Sequence, residues 1–160
     1  MRLLPGIIAL LTLSVAGCGK KHTEDKVTYF DGSDAKMNAA MDKARATVDD
    51  FIAARKSPIV GQSGFSVKAP FADGTNIEHF WLSPVSFDGT NFQGTINNEP
   101  AKVKTVKMGQ KVTVAKDKIS DWMYVEHLKL KGGYTLRVMR DAMSPAERAD
   151  FDKTVPFVVD

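Results

Sequence analysis

The chain has 160 residues, with 22 lysines and arginines against 19 aspartates and glutamates and a formal net charge of +3. That length suits one domain with a real core and is short for two, and the charge balance argues against nucleic acid as a partner. A single cysteine excludes an internal disulfide.

In chain order, Met1 and Arg2 form a short basic start, Leu3 to Leu13 is almost wholly apolar, and Ser14 to Gly17 are mostly small. This is the three-part pattern of a secretory signal peptide over residues 1–17. Its apolar run of about fifteen residues falls below the roughly twenty needed to span a bilayer. Val15-Ala16-Gly17-Cys18 resembles the lipobox of bacterial lipoproteins. The resemblance implies that the Cys18 thiol receives a diacylglycerol, that cleavage falls before Cys18, and that the new amine is acylated. Two or more acyl chains anchor a protein stably. The alternative is a buried structural cysteine behind a cleaved signal. Gly19, rather than aspartate, after Cys18 resembles the Gram-negative outer-membrane sorting pattern, which implies the inner leaflet of that membrane, facing the periplasm. Residues 18–33 are polar and without apolar periodicity, as expected of a tether.

The remainder, 34–160, is expected to be a single α+β domain. Met37, Met41, Ala44, Val48, Phe51, Ile52 and Arg55 recur at helical spacing, which predicts one amphipathic helix from Asp34 to Lys56 with its stripe on the core. Ser33 or Asp34 can cap it, and Ser57-Pro58 stops it. From Gly64 the period becomes two, over Phe65–Ala69, Ile77–Val85, Phe92–Ile96 and Lys111–Val114. Turns are expected at Asp73-Gly74, Asp88-Gly89, Asn97-Asn98 and Met108-Gly109. The repeated D-G-T-N at Asp73 and Asp88 suits tight turns better than calcium. Tyr134 to Arg140 fits either a strand or a helix. Ser144-Pro145-Ala146-Glu147 is a capping box that opens a short C-terminal helix. The expected architecture is a twisted, mostly antiparallel sheet with helices at both ends.

"EHFWLSPVSFDGTNFQGTINNEP" (Glu78 to Pro100), "MGQKVTV", "ISDWMY" (Ile119 to Tyr124) and "GGYTLRVM" (Gly132 to Met139) resemble the YegJ-like domain of unknown function, DUF2314. The segments occur in the family's order from about Phe65 to Phe151. The resemblance implies a fold but no catalytic or ligand residue.

Candidate residues therefore come from chemistry. Glu78, His79 and Asp121 are the weak catalytic candidates, because a carboxylate can orient an imidazole for proton transfer. On a strand, Glu78, Phe80 and Leu82 share one face, and His79, Trp81 and Ser83 the other. No G-x-S-x-G elbow occurs, and His22, His79 and His127 lack metal-site spacing, so neither metal nor cofactor is expected. Trp81, Trp122 and Tyr124 are either core anchors or binding aromatics. Asn98, in the Asn97–Pro100 loop, can rim such a surface, although a plain hairpin turn is the simpler reading. Lys102, Lys104 and Lys107 begin a run of eight lysines ending at Lys131, suited to anionic headgroups or to solvating strand faces.

Two functions follow. One is a non-catalytic envelope lipoprotein, held to the membrane by its lipid, that binds an envelope protein or wall component. The other is a small hydrolase or isomerase using His79 with a carboxylate.

Overall fold

The computed structural model describes residues 34–160; the signal segment, Cys18 and the tether lie outside the described residues. Asp34 caps the first helix, its Oδ1 accepting from Met37 N at 2.8 Å. The expected single helix is two, α1 (Ala35–Ala46) and α2 (Val48–Lys56), which corrects the sequence reading. The break is Thr47, whose backbone leaves helical geometry while its Oγ1 donates back to Lys43 O at 2.8 Å. A threonine bonded in this way loosens the helix it sits in.

Six strands follow: β1 (Gln62–Asp73), β2 (Asn76–Phe87), β3 (Asn91–Ile96), β4 (Lys111–Ala115), β5 (Asp121–Glu126) and β6 (Lys129–Gly132). They form one sheet in the order β4-β3-β2-β1-β5-β6, and every pairing is antiparallel. Two tight turns join the first three strands, at Asp73-Gly74 and Asp88-Gly89. Pro84, which has no N–H to give a ladder, sits at the register shift between Leu82 and Val85. Flat strands would set β4 and β5 about 19 Å apart. Residues 116–120, three of them in a 3-10 turn, must cover that gap. At a rise of about 2 Å per residue through that turn they fall short of it, so the sheet curls around the helices.

The helices fill that concave face. Ala44, Val48 and Phe51 pack on Val67, Leu82, Phe92 and Trp122, all buried. Phe51 is the hub, with ring centroids 5.6 Å from Trp122 and 5.9 Å from both Phe65 and Phe92. Each such side chain contributes about 1.5–3 kcal/mol when fully buried. The Trp122 indole also donates from Nε1 to Ala44 O at 3.0 Å, tying α1 to β5.

Beyond β6, Gly132 and Gly133 are both left-handed, with φ of 68° and 63°. A Cβ on Gly132 would run into the Trp122 carbonyl and ring. Glycine is thus required where β6 turns into α3 (Tyr134–Asp141), and the ambiguous segment is a helix. The last helix, α4 (Pro145–Thr154), has the expected Ser144–Glu147 capping box.

Candidate functional site

The face turned away from α1 and α2 carries the polar residues of the central strands. Lys68 on β1 lies opposite Trp81 on β2 and opposite Asp121 on β5. Its Nζ stands 5.6 Å over the Trp81 ring and 3.4 Å from Thr135 Oγ1. Burial lowers the Lys68 pKa below the ordinary lysine value, and the charge of Asp121 partly restores it.

Asp121 is fully buried. One oxygen accepts from Trp122 N at 2.8 Å and Tyr134 N at 3.1 Å; the other accepts from Thr135 N at 2.8 Å and Thr135 Oγ1 at 2.7 Å. The carboxylate therefore caps α3, a task that Gly133 at the cap position has no side chain to perform. Burial still raises its pKa, opposed by the Thr135 and Trp122 hydrogen bonds and by Lys68.

His79 is exposed at its rim, while its Nδ1 shares a 2.8 Å hydrogen bond with Ser120 Oγ. Burial, then the charges of Lys68 and Arg45, lower its pKa to about 4, so the ring is neutral at pH 7. Arg45 reaches this end of the sheet by donating from Nη1 to Ile119 O at 3.2 Å. The partner of His79 is thus a hydroxyl, whereas Asp121 bonds to β5 and α3.

Glu78 lies on the opposite face, nearly buried, and accepts from Ala101 N at 3.0 Å, Lys102 N at 2.8 Å and Val103 N at 3.3 Å. It fastens the loop over residues 97–110. This corrects the expected hairpin turn at Asn97–Pro100: the connection is a long loop, pinned from below by a carboxylate. Asn98 belongs to that loop, and its Oδ1 accepts from Trp81 N at 2.9 Å. Lys102, Lys104 and Lys107 are exposed on it, with Lys104 N donating to Asp73 Oδ2 at 2.8 Å.

The aromatic candidates divide. Trp122 is only 4 % exposed and Tyr124 stacks on Phe65 at 4.8 Å, both on the helix-covered face. Trp122 is a core residue beneath α1 and α2, and Tyr124 is a partly buried ring packed against that core beside Phe51. Trp81, half-buried, is the aromatic left on the open face. Among the described residues, no three of histidine, cysteine, aspartate and glutamate gather as a metal-ligand set, and no helix is long and apolar enough to cross a membrane.

A family model described as "Uncharacterized protein conserved in bacteria (DUF2314)" matches residues 34–157. The chain belongs to this family. It is 34 % identical over 144 residues to the uncharacterized protein YegJ of Escherichia coli K12, covering 90 % of this chain and 91 % of YegJ. It is also 36 % identical over 137 residues to a protein of Neisseria meningitidis serogroup B that is named as an ankyrin repeat protein, covering 80 % of this chain. The match spans about half, 54 %, of that longer relative. No solved structure matches.

The DUF2314 match includes the whole polar cluster. Three of its members, Lys68, Ser120 and Thr135, escape sequence reasoning. Alternation within β1 cannot say that Lys68 shares a face with Trp81, because the β1–β2 register sets that; a lysine in the middle of a strand was the available signal. Ser120 and Thr135 carry no motif; the fold brings them in from 41 and 67 residues away along the chain.

Proposed function

We propose that this DUF2314 protein is an envelope lipoprotein, anchored through Cys18 on the periplasmic side of the outer membrane, whose domain is a binding module. Its recognition surface is the open sheet face. The observation that carries this reading is the half-buried Trp81 beside the Lys68 ammonium on the face turned away from α1 and α2. Aromatic and cationic groups side by side suit partners that present an apolar face and negative charge. The carboxylates expected to do proton chemistry instead hold backbone: Glu78 fixes the 97–110 loop and Asp121 caps α3. The pinned loop holds Lys102, Lys104 and Lys107 outward for a second, salt-sensitive contact.

The test is capture of envelope material by the secreted Cys18→Ser form, compared with Trp81→Ala and with Lys102, Lys104 and Lys107 changed to glutamine. Capture lost in Trp81→Ala supports the open face as the binding surface. Capture indifferent to Trp81 removes it.

One contact favours the hydrolase or isomerase reading: the neutral His79 ring is 2.8 Å from the Ser120 hydroxyl. Ser120 is only 1 % exposed, so an attacking hydroxyl there would need the strand ends to open first. Turnover of an envelope substrate that vanishes in His79→Ala, with the fold intact, would replace the binding reading.

A further inference from the structure

We infer that Lys68 and Trp81 form a subsite for a sugar ring bearing a carboxylate, with Lys68 Nζ on the carboxylate and the indole against the ring. The inference rests on the binding reading above and names its ligand class.

An ammonium has three N–H donors. Among the described residues, Lys68 Nζ has Thr135 Oγ1 as its hydrogen-bond partner, at a long 3.4 Å. Its nearest carboxylate in register, Asp121, makes no ion pair with it, because both Asp121 oxygens are occupied by Trp122 N, Tyr134 N, Thr135 N and Thr135 Oγ1. Asp121 answers the α3 N-terminus, and Lys68 is left undersupplied with acceptors. A cation placed in such surroundings is costly to hold, and burial is the main reason that its proton is loosely held. An incoming carboxylate supplies the missing acceptors, and charge-assisted bonds of this kind are the strong ones.

The electrostatics select the anion. Arg45 adds positive charge at the same end of the sheet, and His79 is neutral there at pH 7. Asp121, on the neighbouring strand, is negative. A single carboxylate fits this balance, whereas a phosphate dianion meets more of the Asp121 repulsion. The ring follows from Trp81: the indole stands in cross-strand register with Lys68, and Asn98, bonded to Trp81 N, holds the loop beside it. Indole faces take flat apolar surfaces, of which the C–H face of a pyranose is one.

The experiment uses the full chain in detergent and follows the Trp81 indole N–H by NMR, assigned with Trp81→Phe. The probes are N-acetylmuramic acid, N-acetylglucosamine (the same ring without the carboxylate) and lactate (the carboxylate without the ring). N-acetylmuramic acid is expected to shift the Trp81 signal saturably and to bind at least about tenfold more tightly than either control, since one charged hydrogen bond accounts for a factor of that order. Lys68→Met should bring it down to the affinity of N-acetylglucosamine while the melting temperature holds. Equal binding of the two sugars, or full affinity in Lys68→Met, overturns the subsite. If envelope capture still depends on Trp81 in that case, the subsite alone has failed. If N-acetylmuramic acid binds at Lys68 while envelope capture ignores Trp81, the broader reading has failed and the subsite stands.

Discussion

Trp122 Nε1 donates to the carbonyl of Ala44 at 3.0 Å and lies 3.3 Å from Thr47 Oγ1, 75 residues away in sequence. One indole thereby joins β5 to the point where α1 gives way to α2. Trp122→Ala should cost about 3–5 kcal/mol, a large share of the roughly 5–15 kcal/mol that holds a domain folded. Trp122→Phe keeps most of the packing and loses the bond to Ala44, which should cost about 0.5–1.5 kcal/mol beyond the volume change. Denaturant titration of the two variants separates the terms. Equal stabilities would mean that the hydrogen bond carries the whole loss and the ring packing none of it.

Glu78→Ala should loosen the 97–110 loop. Of the three amides that Glu78 holds, Val103 N is buried, while Ala101 and Lys102 can turn to water. The cost should therefore be close to that of one stranded donor, about 1–3 kcal/mol. Hydrogen exchange gives the sharper check. Val103 should lose most of its protection, whereas Lys104, held separately by Asp73 at 2.8 Å, should change less. Uniform loss along the loop would place the fastening elsewhere.

His79 makes stability depend on acidity in a defined window. Its folded pKa is about 4, below the ordinary histidine value of 6.5. Between those values the unfolded chain binds a proton that the folded chain refuses, so stability falls as pH drops from about 6.5 towards 4. Above 6.5 the residue has no effect. His79→Asn should flatten the melting temperature between pH 6.5 and 5, a range above the titration of the surface carboxylates. A folded-state NMR titration of His79 with its midpoint near 6.5 would contradict the desolvation of its ring and its closeness to Lys68 and Arg45.

Gly132→Ala meets two obstacles at once. The backbone there has a φ of 68°, and the new methyl would overlap the Trp122 carbonyl. A loss of at least about 1–2 kcal/mol is expected from the left-handed conformation alone. Gly74→Ala, also left-handed but with open space around it, is the matched control. If the two variants melt together, the close approach of β6 to Trp122 has no energetic weight.

The parts of the fold that depend on neighbours in sequence were readable. The helical stripe, the two-residue alternation, the Asp73 and Asp88 turns and the Ser144 capping box all express local periodicity or local hydrogen bonding. What escaped depends on distant partners. Thr47 breaks the first helix where Trp122 and Tyr134 meet its hydroxyl, and nothing adjacent to Thr47 announces them. The segment after Gly133 is a helix partly because Asp121, 13 and 14 residues earlier, caps its first amides. Asn97–Pro100 looked like a hairpin because the carboxylate that fixes the longer loop, Glu78, lies on another strand. The candidate site followed the same division: strand alternation gave the face of His79 and Trp81, but the acceptor shortage at Lys68 emerges only once Asp121 is seen to be occupied.

The two margins of the sheet are unequal. Along β6, Val158 accepts from Leu130 N at 3.0 Å and donates to Leu128 O at 2.7 Å, so a bridge at Val158 interrupts that margin. Along β4, no strand pairs on the outer side among the described residues. A molecule with one vacant margin can join a like molecule only once, β4 against β4 about a two-fold axis. The β6 margin is the poorer one for continuing such growth, because Val158 already takes the Leu130 N–H and the Leu128 carbonyl. That asymmetry favours pairing of two such sheets over open-ended stacking into fibres.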